Sequence, residues 1–351
     1  MELTKTINKL KWKLEFSKYK YWWHFFVGIN SKTGEKKSFF IQYYAVNPKE
    51  SSLNPKFTEP SYAMVRAGTW GEDKAQVSNF YGGDYFNVLD YKEKEIAIGH
   101  CIVCDNYLKG DVYLGSNSSK MHKEFMCQSG SFNWNLKKES RYANSLLNNH
   151  LNVALKIDEF DTKYSGYIKY NEEEYKVIPE ECSGYEYKIY ANASFDFWNK
   201  VTCLNLENQN GDRKSGSISV LNYCPVVFGK KLSDEVLVNL NLKNDNDKDL
   251  NFVYKKSSIT KIQCIEKDDV IEFNLEAEDE KSKLEVKFID KKDNMIRLCY
   301  KEIEEFQGSK GTLNSGKAKG FVKVFEKQED KVVLKYNYLG KMCNLQYYKS
   351  K

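Results

Sequence analysis

At 351 residues the chain has room for two ordinary domains or one large one, with a proper apolar core. Its 25 tyrosines and 20 phenylalanines against 5 prolines favour strands over helices. A net charge of +5, mixed from 54 basic and 49 acidic residues, leaves no nucleic-acid footprint, and no apolar run approaches the roughly 18 residues of a membrane span.

The opening "MELTKTINKLKWKLEF" lacks the apolar core and cleavage site of a signal peptide. Nine cysteines, an odd number without framework spacing, fit reduced thiols, so the expectation is a cytoplasmic protein. Within this opening Leu10, Trp12, Leu14 and Phe16 alternate with Lys11, Lys13 and Glu15, the pattern of a half-buried strand.

Next comes "YWWHFF", Tyr21 to Phe26. On a strand Trp22, His24 and Phe26 share one side, and Tyr21, Trp23 and Phe25 the other. A run apolar on both faces must be covered on both, either in a core or as the wall of a pocket. Asn30 to Gly34 supply a turn into Phe39–Tyr44, where Gln42 and Tyr44 put polar tips on one face. Asn79 and Tyr81 lie in "VSNFYGGDYF", whose paired glycines suggest a bulge or turn at a barrel rim.

"HCIVC" invites a metal reading of His100, Cys101 and Cys104, with His122 and Cys127 downstream. Strand geometry sends the two thiols to opposite faces, which favours buried free thiols, and no metal site is assigned. "SFNWNL" is an alternating strand that carries Trp134, whereas "SRYANSLLNNHL", from Ser140, reads as a short helix.

A charge run, Pro179 and Gly184 together mark a boundary in "NEEEYKVIPEECSGY", giving domains 1–180 and 181–351. Beyond it "VIEFNLEAE", "KLEVKFID", "FVKVFEK" and "VVLKYNY" repeat the period of two between polar turns. "DNDKDL" has Leu250 where a calcium loop needs glycine, and is a solvated turn. "GTLNSGKA" approaches a phosphate loop, but Ala318 replaces the metal-binding hydroxyl and a strand follows, so it reads as a glycine-rich hairpin. The whole is all-β, antiparallel, in barrels or sandwiches, and shows no dinucleotide or nucleophile motif.

The phrases "KSFFIQYYAVNP", "PSYAMVRAGTWGEDKAQVSNFYGGDYF" and "GSFNWNL", and more weakly "NYCPVVFGKKL", resemble the bacterial members of the tocopherol cyclase family. That family is related to carotenoid 1,2-hydratases and AttH-like lipocalin-type proteins. The resemblance implies two lipocalin-like antiparallel β-barrel domains packed side by side, with a hydrophobic ligand site. It also implies cyclisation, hydration or isomerisation of a prenylated or polyene substrate by acid–base catalysis, without metal or redox cofactor. The family's second-domain signature is only partly kept in "GYEYKIYANASFDFW". Gly184, Tyr185, Lys188 and Trp198 match, but Tyr187 stands in the place of the acid.

Alkene protonation needs a carboxylic acid kept neutral in an apolar setting, with ring faces to steady the cation. His24, Asp84 and Glu186 are the candidate acid–base groups, although Glu186 should face the opposite side of its strand from Tyr187. Trp22, Gln42, Tyr44, Asn79, Tyr81 and Trp134 are the candidate ligand-binding residues. The partner expected is a hydrophobic small molecule, with no nucleic acid and no transmembrane segment, and with room for peripheral membrane contact during uptake. Two other readings compete: a non-catalytic carrier using the same cavity, and a glycan-binding β-sandwich, which requires the rings exposed together on one face.

Overall fold

A computed structural model of the chain describes residues 18–47, 61–90, 95–117, 128–148, 155–182, 184–191, 194–208, 216–227, 229–243, 249–254, 256–300, 310–329 and 331–349. The strand expected at Leu10–Phe16, as well as His122 and Cys127, lies outside them. Contacts divide the described residues into two compact units. The first lies within Met1–Thr69, Ala75–Ala193 and Tyr300–Ser309, the second within Trp70–Lys74, Ser194–Cys299 and Lys310–Lys351. Both are all-β and antiparallel.

The first sheet comprises β1 (Tyr19–Asn30), β2 (Lys36–Val46), β3 (Tyr62–Thr69), β4 (Ala75–Gly82), β5 (Phe86–Asp90), β6 (Glu95–Ile98), β7 (Cys101–Val103), β8 (Tyr107–Leu114), β9 (Gly130–Asn148), β10 (Leu155–Tyr170), β11 (Glu173–Val177) and β12 (Gly184–Ala191). Its order is β4-β3-β2-β1-β11-β10-β9-β8-β7-β6-β5, with β12 laid between β1 and β10. The sheet closes into a barrel where β4 meets β8. There the Asn79 amide accepts from the Tyr113 N–H (3.0 Å) and donates to its carbonyl (2.8 Å), which joins two edges without a regular ladder.

Bonds spanning the barrel identify the inward face. Tyr43 of β2 donates to the Ile102 carbonyl of β7 (3.0 Å) and accepts from the Trp134 indole of β9 (3.3 Å). Tyr43 is opposite Trp22 in the β1–β2 register, so Trp22, His24 and Phe26 point inward and Tyr21, Trp23 and Phe25 outward. Both sets are buried. The outward rings form a stack: Trp23 lies on Phe40 (4.7 Å), Tyr21 on Tyr187 (5.5 Å) and Phe25 on Tyr185 (5.1 Å). With both faces covered, this stretch offers no exposed platform for stacking on a sugar.

The second sheet comprises β13 (Ser194–Asn208), β14 (Gly216–Val227), β15 (Lys230–Lys231), β16 (Glu235–Lys243), β17 (Asp249–Tyr254), β18 (Ile259–Lys267), β19 (Val270–Glu278), β20 (Ser282–Lys291), β21 (Ile296–Tyr300), β22 (Lys310–Gln328) and β23 (Lys331–Lys349). It runs β17-β16-β14-β13-β23-β22-β20-β19-β18 and curls into a half-barrel around Val220, Leu240, Phe273, Phe288 and Leu345. Strict alternation in "VIEFNLEAE" gives β19 one buried and one half-exposed face, as its period of two demands.

Three sequence expectations are corrected. Ser140 to Asn148 is not helical but the end of β9, because pairing with β10 along its whole length overrides weak helix propensity. "GTLNSGKA" is not a hairpin turn but part of β22, with a register shift between Ser315 and Ala318. Its Gly316 is required by close approach, since a Cβ there would lie 2.4 Å from the ring of Trp70. Finally, the thiols are not all reduced: Cys203 and Cys343 of neighbouring strands, with Cα atoms 4.7 Å apart, form a disulfide. Their sequence separation of 140 residues gave no signal of it.

No helix among the described residues is long and apolar enough to cross a membrane.

Candidate functional site

The inward face of the first barrel gathers titratable groups among rings. Two cross-strand pairs bring them together: His24 of β1 faces Glu186 of β12, and Lys138 of β9 faces Tyr164 of β10. All four are buried. Glu186 therefore points inward beside His24, as the opposite parity of Tyr187 required.

Glu186 is the hub. Its Oε2 accepts from Lys138 Nζ at 2.5 Å and from Ser140 Oγ at 3.1 Å, and its Oε1 lies 3.0 Å from Lys188 Nζ. Thr162 donates to Ser140 (3.2 Å), and Lys188 also reaches Asp105 at 3.2 Å. Burial by itself would raise the Glu186 carboxyl, but the ammoniums of Lys138 and Lys188 overcome it and hold the group below the usual carboxylate range. Burial lowers the Lys138 ammonium to about 8, with Glu186 opposing. Burial likewise penalises Lys188, but Glu186 and then Asp105 raise it above the ordinary lysine value.

His24 Nδ1 lies 3.0 Å from the Tyr164 hydroxyl, which donates to the Tyr185 carbonyl at 3.3 Å. Assigning that proton to the carbonyl directs Nδ1–H to Tyr164 and puts the imidazole lone pair at Nε2. Nε2 is buried and has no hydrogen-bond partner among the described residues. Burial, chiefly, pushes the His24 imidazole down to about 3, with Glu186 opposing and the two lysines assisting. The ring is therefore neutral at physiological pH and presents an acceptor to the barrel interior.

This has a measurable consequence. The unfolded chain protonates His24 below about pH 6.5 while the folded chain does not, so stability falls as pH drops from there towards 3, by roughly 1 kcal/mol per pH unit. Urea unfolding of His24→Phe is expected to lack this slope between about pH 6.5 and 4.5, retaining the acid loss that begins where Glu186 titrates in the unfolded chain.

The sequence candidates separate by face. Trp22 and Trp134 share the inward face with His24, Trp134 through its bond to Tyr43, and Trp22 stacks on Phe86 of β5 (6.0 Å). Asn79 and Tyr81 share that face by register but lie at the β4 edge, where Asn79 is bonded to Tyr113 and burial pushes the half-buried Tyr81 up to about 12. Gln42 and Tyr44 lie on the outward face, because Gln42 is opposite Trp23 and Tyr44 opposite Tyr21. Asp84 is exposed in the 3-10 turn Gly83–Tyr85 and is not part of the cluster.

The thiols of "HCIVC" are buried and engage separate groups, Cys101 the Asp111 carbonyl (3.2 Å) and Cys104 the Asn106 side chain (2.8 Å). Sequence reasoning missed Lys138 and Tyr164, and named Lys188 only as a match to the family signature, not as a site residue. For Lys138 a signal existed: continuing the alternation of Phe132, Trp134 and Leu136 puts a lysine at the next inward position.

A scan of protein-family models gives no match, and neither does a search of curated sequences. Among solved structures, the chain is similar to an AttH-type protein from Nitrosomonas europaea, with a TM-score of 0.48 and 8% identity over 95% of this chain and 93% of that one. It is also similar to kievitone hydratase from Nectria haematococca, with a TM-score of 0.42 and 11% identity over 94% and 89%. Likenesses this distant carry no residue-by-residue correspondence.

Proposed function

We propose that the first barrel takes up a lipophilic small molecule of isoprenoid or polyene type and moves a proton on it, in a cyclisation, hydration or isomerisation of the tocopherol cyclase and hydratase kind. The observation that carries this reading is the buried His24 imidazole, neutral and without a hydrogen-bond partner at Nε2 among the described residues. Trp22, Phe26 and Trp134 supply apolar surface, and Nε2 supplies an acceptor for a hydroxyl on the ligand or for an attacking water. The His24–Tyr164–Tyr185 chain fixes the ring's orientation and tautomer, which makes Tyr164 a positioning residue.

The charges narrow the chemistry. Glu186 is ionised, so it is not the neutral carboxylic acid that protonation of an isolated alkene demands. Its role is to hold the two lysines. Substrates whose proton transfer is eased by a neighbouring carbonyl or phenol suit a weak imidazole base and the nearby Lys188 ammonium better.

The same ionised Glu186 favours a second reading, a carrier that binds without turnover. The test is to extract small molecules that accompany the protein from its host, identify them by mass spectrometry, and return them to wild type and His24→Phe. The enzyme reading expects conversion by wild type, slowed about 10²–10⁴-fold in the variant with binding retained. Retention without conversion by either protein leaves the carrier, and failure of both proteins to retain any lipophilic molecule overturns both readings.

A further inference from the structure

Lys138 carries an amine that the imidazole chemistry does not use. It follows Phe132, Trp134 and Leu136 on the inward face of β9, its ammonium is enclosed, and its Nζ lies 2.5 Å from Glu186. That carboxylate is fixed from three directions, by Lys138, by Ser140 Oγ at 3.1 Å and by Lys188 at 3.0 Å. A primary amine among rings, beside an immobilised carboxylate, is the arrangement that stabilises a protonated imine. We propose that Lys138 condenses with a lipophilic conjugated aldehyde and holds it as a protonated Schiff base, with Glu186 as the counter-ion. The inference rests on the reading that this barrel takes up a lipophilic small molecule, and it names the reactive group of that molecule.

The charge balance favours this product. The neutral amine adds to the carbonyl carbon, the carbonyl oxygen gains protons and leaves as water, and a C=N bond replaces the C=O. Starting from the ammonium, Lys–NH₃⁺ and R–CHO give Lys–NH⁺=CH–R and H₂O, so the cation beside Glu186 is the same before and after. Acylation of the amine would instead remove that cation and leave the buried carboxylate with Lys188 alone, a costly state in an apolar interior.

Reactivity and class follow from the surroundings. With its ammonium lowered to about 8, Lys138 exposes a far larger fraction of neutral amine near neutrality than an ordinary lysine does. Lys188, doubly held by Glu186 and Asp105, stays an ammonium and supplies the fixed second charge. A conjugated chain spreads the iminium charge along its length, where the faces of Trp22, Tyr43 and Trp134 can meet it. A saturated aldehyde has no such advantage.

The test uses all-trans-retinal as the aldehyde and retinol, which cannot condense, as its control. Wild type is expected to give a red-shifted absorbance band with retinal and, after borohydride reduction, one retinyl adduct per chain, mapped to Lys138 by peptide mass spectrometry. Lys138→Arg keeps the cation and is expected to lose both the band and the adduct while retinol still quenches tryptophan fluorescence. Glu186→Gln, if it folds, should form the adduct with the red shift lost, because its imine gives up the proton. Retinol binding with adducts scattered over surface lysines, or an unchanged adduct yield in Lys138→Arg, overturns the Schiff base and leaves the binding reading standing. Absence of binding by retinol and retinal alike overturns both.

Discussion

Glu186→Gln is expected to destabilise the first unit by about 3–5 kcal/mol at neutral pH, although it removes a single charge. The carboxylate sits between two buried ammoniums, and without it Lys138 keeps its charge in an apolar interior while losing the acceptor 2.5 Å away. Lys188 suffers less, because Asp105 remains within 3.2 Å. The stranded Lys138 answers by releasing its proton at a lower pH than it does in the wild type. The deficit in urea-derived stability should therefore shrink as the pH rises towards 8. The double variant Lys138→Met/Glu186→Leu should cost less than Glu186→Gln alone, since it removes the donor with the acceptor. Equal losses in the single and double variants, independent of pH, would show that the pair is not coupled.

Trp134→Ala is expected to cost a similar amount, about 3–5 kcal/mol, for a different reason. Its indole is buried, stands edge-on to Tyr43 with ring centres 6.5 Å apart, and donates to the Tyr43 hydroxyl across the barrel. Removing it opens a cavity between β2 and β9 and strips one bond from a hydroxyl that also fixes Ile102. Trp134→Phe keeps most of the volume and should lose about half as much or less. Thermal or urea unfolding decides between them, and identical losses would mean that the hydrogen bond, not the packed volume, carries the effect.

What the sequence made legible was the period of two. It predicted the strands at Phe39–Tyr44, "SFNWNL" and "VIEFNLEAE", the division of Tyr21–Phe26 into two faces, and the need to cover both. The turn at Asn30 was also readable, since its side chain accepts from Lys32 and Thr33 as an Asx turn does. Register was not readable. Gln42 was grouped with His24 because each is a polar group among rings, yet a shift of one position in the β1–β2 pairing decides the face, and the pairing sets it opposite Trp23.

The charged cluster was hidden for the same reason. His24 meets Tyr164 from 140 residues away and Lys138 meets Glu186 from 48, distances over which no local pattern acts. The helix expected near Ser140 failed where a 19-residue strand, paired along its length, outweighed a few residues of local preference.

His24 of the first barrel is neutral, and its unpartnered Nε2 is the atom proposed to meet the ligand. The ¹⁵N NMR spectrum of histidine-labelled protein, titrated from neutral pH to about 4 with and without a lipophilic molecule recovered alongside it from its host, tests this directly. The expected spectrum has one ring that stays neutral with the proton on Nδ1 throughout, and whose Nε2 resonance alone moves when the ligand binds. An imidazolium at neutral pH, or a His24 spectrum indifferent to every bound ligand, would contradict it.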